Sequence, residues 1–191
     1  MTMYAALLRG INVSGHKRVP MAELRTLLTE LGHGDVRTHL QSGNAVFSSP
    51  SDDADALAAE LERAIEKRFG FPVPCLVRDG SYLAAVAGAC PFPAAELAGG
   101  HLHITYFGQP VDPTRFDRID PASFLPEEFR LGDRALYLYA PDGLGRSKLA
   151  GALSRPSLTG DVVATSRNWN TVRKLVEMTT RTPAAHRGAD A

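Results

Sequence analysis

The chain is short of cysteine: Cys75 and Cys90 are its only two, far apart and in no C-x-x-C arrangement. That scarcity speaks against a disulfide framework and against a structural zinc site. No run approaches the roughly 18 apolar residues of a membrane span. Residues 1–8 show no basic segment followed by the apolar stretch of a secretory signal. These lacks lead to the expectation of a soluble cytoplasmic protein with no membrane partner. Charge of one sign is lacking too, with 21 Lys and Arg against 21 Asp and Glu. The overall basic excess of a nucleic-acid binder is therefore missing. There is no Walker A loop, no H-E-x-x-H, no nucleophile elbow and no Ser/His/Asp set, so a hydrolase is unsupported. No motif calls for a cofactor.

What is present is ordinary in bulk and uneven in detail. A 191-residue chain buries roughly 70% of its unfolded surface, enough for a core without staples. The charges are segregated. Residues 1–22 hold Arg9, Lys17 and Arg18 and no acid, and residues 143–176 hold six cationic residues against Asp161 alone. Acids gather at 52–62 and again at 112–133. Such separation gives local fields even at zero net charge.

Periodicity predicts a strand at 3–8, a loop at 9–19, and a helix from Pro20 with Met21, Leu24, Leu28 and Leu31 at helical spacing, stopped by Gly32. Strands at 36–40 and 45–48 flank the turn Gln41-Ser42-Gly43-Asn44. Ser51 or Asp52 caps a helix bearing Leu57, Leu61, Ile65 and Phe69. A strand at 73–77 and a short helix at 81–87 complete the half. The second half repeats the order: a strand at 101–107, a short helix at 113–119, a hairpin around Gly132-Asp133, a helix capped by Ser147, a strand at 161–164 and a helix at 168–178. This predicts an α+β protein of two tandem ferredoxin-like (α/β plait) domains, each a four-stranded antiparallel sheet backed by helices. The domains are placed at 1–90 and 100–180, joined by a Pro- and Gly-rich linker, with a disordered tail at 181–191.

In such a unit the exits of the first two strands share one end of the sheet. Arg9, Asn12, Gln41, Ser42 and Asn44 are thus expected together at one end of the first domain. Arg146, Ser147, Lys148, Arg167, Asn168 and Asn170 are expected where the last two strands of the second domain end. The loop at 142–148, entering a helix with glycines and Lys148, is a candidate anion cradle. Plainer readings stand beside these. Asn44 after Gly43 suits a left-handed turn, Arg9 suits a brace at a domain interface, and Trp169 suits the core. His101 and His103 alternate on one strand without a third ligand nearby, which is poor for a metal. Cys75, in an apolar strand, reads as buried and inert. His16, His33 and His39 are candidate proton carriers without visible partners.

The strings L-L-R-G-I-N-V (7–13), M-A-E-L (21–24), Q-S-G-N-A-V-F (41–47), S-K-L (147–149) and T-S-R-N-W-N-T-V (165–172) resemble the bacterial domain of unknown function 1697 family. The resemblance runs from about residue 3 to residue 178. Ser14 stands where that family more often has glycine, and Ser166 where it often has threonine or alanine. The resemblance implies tandem α/β-plait domains and no established activity, cofactor or substrate. Three functions remain open on the residues. One is a binding or catalytic site for a small anionic ligand, phosphate- or carboxylate-bearing, at Arg9, Asn44, Lys148 and Arg167. Another is RNA binding on a plait sheet, which requires exposed aromatics such as Tyr137 or Tyr139. The last is a structural or interaction module with no ligand.

Overall fold

Strands such as Thr2–Leu8, apolar at almost every position, need cover on both faces, and the architecture provides it. The computed structural model describes residues 1–13 and 17–180. His16, Ser14 and the tail at 181–191 lie outside the described residues. The first half runs β1 (Thr2–Leu8), α1 (Met21–Glu30), β2 (Gly34–His39), β3 (Asn44–Ser49), α2 (Ala54–Phe69), β4 (Cys75–Asp79) and α3 (Gly80–Gly88). The second runs β5 (Leu102–Phe107), β6 (Glu128–Gly132), β7 (Ala135–Tyr139), α4 (Lys148–Leu153), α5 (Pro156–Thr159), β8 (Ala164–Asn168) and α6 (Trp169–Thr180). Two turns of 3-10 helix, at Pro113–Arg118 and Pro121–Phe124, stand where the first half has α1. No helix among the described residues is long and apolar enough to cross a membrane.

The strands form two four-stranded sheets, ordered β2-β3-β1-β4 and β6-β7-β5-β8, with antiparallel pairing throughout. The fold is mixed α+β, with helices backing both sheets. Alternation along β1 sorts its side chains between two cores. Tyr4, Ala6 and Leu8 join α1 and α2 in one cluster. Met3, Ala5 and Leu7 face inward and share a second cluster with α3, α6 and the inner residues Ile104, Tyr106 and Tyr137 of the other sheet. A third cluster lies outside the second sheet, beneath α4 and α5, with Phe107, Leu136 and Leu138 at its base.

Helix α2 forms because Leu57, Leu61 and Ile65 recur at i, i+4, i+8 and are buried as one stripe. Its cap is Asp53, one residue beyond the expected position, whose carboxylate accepts from the amides of Asp55 and Ala56. Gly70, at φ 80°, ends it in the left-handed conformation that glycine adopts freely. Two boundaries differ from the sequence expectation in a way that matters. Strand β4 begins and ends two residues later than expected. Strand β8 is Ala164–Asn168, so the polar string Thr165-Ser166-Arg167-Asn168 is itself the strand and not the loop after it.

Phe47 is 1% exposed and tilts against both Tyr4 and His33, with ring centroids 6.0 Å and 4.6 Å away. Phe47→Ala is expected to lower unfolding free energy by about 3–5 kcal/mol, read as a reduced urea midpoint at unchanged slope.

Candidate functional site

One residue of the second expected cluster, Arg167, reaches Asn44 of the first. It lies in β8 opposite Ile104 of β5, so its side chain faces inward, and it is only 8% exposed. Its Nε donates to Asn44 Oδ1 (2.6 Å), one terminal nitrogen to Leu8 O (2.9 Å) and Gly43 O (3.3 Å), and the other to Thr165 Oγ1 and Ser166 O. Asn44, fully buried, spends its amide on His39 O and Ser42 Oγ. Burial pulls the Arg167 guanidinium down to about 10 without discharging it at neutral pH.

A second arginine mirrors the first. Arg78 lies in β4 opposite Ala5 of β1, at 2% exposure. It donates to Phe107 O (2.6 Å) and Gly108 O (3.3 Å). Through the register, Ala5 corresponds to Ile104 and Leu8 to Phe107. Each half therefore sends an arginine from its fourth strand to the carbonyl that ends the first strand of the other half. Burial lowers the Arg78 guanidinium as well.

The remaining expected residues divide between loop bracing and caps. Asn12 sits at φ 55° and grips its own loop. Its amide donates to Gln41 O (2.7 Å) and Val19 O (3.0 Å), and its oxygen accepts from the Val19 amide. Ser147 caps α4 by accepting from the Ala150 amide, and Asn168 accepts from the Thr171 amide at the start of α6. Asn170 packs on Gly99, where an added Cβ would come within 2.1 Å of its side-chain oxygen. Arg146 and Lys148 are exposed.

The anion cradle expected at 142–148 is filled by the protein's own carboxylate. Glu127 Oε2 accepts from Ser147 Oγ and the Leu149 amide, both at 2.8 Å. Nor does the structure bring Lys148 and Arg167 together. Arg167 is on the inner face of the second sheet and α4 is on the outer face. Trp169 is half-buried against the inner cluster. Tyr137 points inward and donates to Val86 O, and Tyr139 is half-buried beside Phe92. Neither is an open stacking platform. Burial raises the Cys75 thiol, as its apolar strand implied. No group of three metal-ligating side chains occurs among the described residues.

Arg9 behaves differently. It is exposed, its guanidinium has no partner among the described residues, and it stands at a cavity of about 380 Å³ in the second half. The Leu8–Arg167 bond draws the loop after β1 alongside β8, which places Arg9 there. The floor is the outer face of the second sheet, with Thr105, Phe107, Leu136, Leu138 and Ser166, and the roof is α4 and α5. Asp161 lies at its edge. Thr105 and Ser166 bond through their hydroxyls. In the first half the corresponding pair is Ala6 and Val77. The corresponding roof there is unbroken α2, whose leucines fill the space. Sequence reasoning missed this cavity and Arg78. The available signals were Pro156, which splits the roof, and an arginine inside the apolar strand Cys75–Asp79.

Fold and site together define a two-sheet α+β protein whose halves are locked by buried arginines and whose second half is hollow. The family model described as "Protein of unknown function (DUF1697)" matches residues 1–137, and the chain belongs to that family. The string at 165–172 lies beyond the matched range. Among solved structures, the conserved bacterial protein SP0830 from Streptococcus pneumoniae is similar, with a TM-score of 0.71 and 24% identity over 93% of this chain and 98% of that one. No curated protein matches.

Two measurements test the site's framework. Arg167→Met leaves Asn44 Oδ1 and Leu8 O without this donor in a buried interface and is expected to cost about 3–5 kcal/mol. Arg167→Lys recovers little, because an ammonium cannot reproduce the guanidinium fork. Chemical denaturation reads both.

The other measurement concerns pH. Burial and neighbouring His101 hold the His103 imidazole below its usual value, and burial does the same to His39. The unfolded chain then takes up these protons first as pH falls. Their stabilisation is complete above about pH 6.5 and drains as pH drops through the folded-state values. His103→Leu is expected to flatten that decline in melting temperature between pH 8 and 5.

Proposed function

We propose that this protein binds a small ligand carrying one anionic group in the cavity roofed by α4 and α5, with Arg9 meeting the anion. The observation that carries this reading is the cavity itself. Its volume of about 380 Å³ falls in the range of small-molecule sites, which pair apolar walls with a few placed polar groups. The one cation at its mouth, Arg9, is free of internal partners among the described residues. Arg167 is occupied by five internal acceptors and Lys148 lies away from the cavity lining, which directs the anionic reading to Arg9. Both sheets have covered inner faces, so an RNA-binding plait surface draws no support from Tyr137. The strand orders favour ferredoxin-like topology for each half. Two free thiols, Cys75 and Cys90, suit a reducing compartment such as the cytoplasm.

A thermal-shift screen of small carboxylates and phosphate esters tests the reading. Ligands that bind are expected to raise the melting temperature of the wild type. Ala150→Trp, which puts an indole into the space under α4, should abolish the shift while the protein stays folded. Shifts that persist undiminished in that variant would place the ligand elsewhere and sink the proposal.

A further inference from the structure

The structure also speaks to the chemical class of the ligand. We infer that it is a monocarboxylic acid with a compact apolar body, an inference that rests on the cavity reading above.

The first argument is charge. The cavity carries one cation, Arg9, and one acid, Asp161, on its lining. A monoanion gains from the guanidinium without strong opposition. A phosphate dianion gains more from Arg9 but is repelled more by Asp161. The fixed donors a phosphate would seek are already spent. The amide of Leu149 at the start of α4 is bonded to Glu127, and the nearby arginine, Arg167, is closed by five acceptors on the far face of the sheet.

The second argument is the lining. The walls are mixed: Thr105, Ser154, Thr159 and Ser166 join Arg9 and Asp161, and Phe107, Leu136, Leu138, Leu153 and Pro156 form an apolar side. That apolar side takes an aliphatic or aromatic group. At roughly 30 Å³ per water-sized group, 380 Å³ holds about a dozen non-hydrogen atoms.

The third argument is the hydroxyl pair. Thr105 and Ser166 replace an Ala/Val pair of the first half, and one hydroxyl bond between them leaves one proton free to donate. Ser166 precedes Arg167, whose bond to Leu8 holds the backbone next to Arg9. Arg9, Thr105 and Ser166 all line the cavity. A carboxylate uses the planar guanidinium fork, with lone pairs left for a hydroxyl.

Calorimetry with three probes of related shape tests the class: 3-phenylpropionate, its neutral primary amide, and phenyl phosphate. The acid is expected to bind about ten- to a hundredfold tighter than the amide, the loss of one charge-assisted contact. Arg9→Gln should bring the acid down to the amide's affinity and leave the amide unchanged. Arg9 is exposed, so its melting curve should match the wild type. If phenyl phosphate binds tightest, the carboxylate class is overturned and the anionic cavity reading stands; if amide and acid bind equally, the anionic reading falls with the class. If no probe binds at millimolar concentration and the amide resonances of Thr105 and Ser166 stay fixed, both fall together.

Discussion

Two buried arginines hold this molecule in one arrangement. Arg167 and Arg78 cross between the halves in opposite directions, and each ends on the carbonyl that closes the first strand of the other half. Those carbonyls lie where sheet pairing stops, so they need donors from elsewhere. Only a guanidinium brings enough donors in a fixed fork to satisfy several at once. The charge is costly to bury, and apolar residues alone would bind the sheets about as well. What the arginines add is direction: a slipped interface leaves a charge and several carbonyls unpaired in a dry space. Gly43, Asn44 and the strand at Ala164–Asn168 are explained by this requirement and not by solvent-facing chemistry.

Around this brace the halves correspond in register and differ in filling. Tyr4 and Phe47 pack the outer core of the first half, and the matching positions in the second are His103 and Leu138. Helix α2 runs unbroken over 16 residues, and its counterpart is two short helices parted near Pro156. The same topology is thus solid on one side and hollow on the other.

Element order was legible in the sequence because apolar spacing is what burial selects. The helix stripe of Leu57, Leu61 and Ile65 and the alternation of His101 to Phe107 carry their own periods. Strand β8 was not legible, because Thr165 and Arg167 point inward and are polar. A period read from hydrophobicity cannot see a strand whose inner face pairs with carbonyls. The neighbourhood of Asn12 with Gln41, and of Ser42 with Asn44, followed from strand direction alone. Their bonds to the backbone, and the crossing to Arg167, depend on how two sheets face each other, which no local pattern encodes. Glu127 at the start of α4 was hidden for the same reason. The cavity is a volume that a broken helix fails to cover, and an uncovered volume has no residue of its own to read.

Arg9 belongs to the first half and the walls of the cavity to the second. A ligand held by both is therefore thermodynamically linked to their docking. Any free energy it gives to the pocket is given equally to the closed arrangement of the two sheets, and at a hundredfold excess over its dissociation constant that amounts to about 2.7 kcal/mol. For such a ligand, occupancy and assembly would be a single equilibrium.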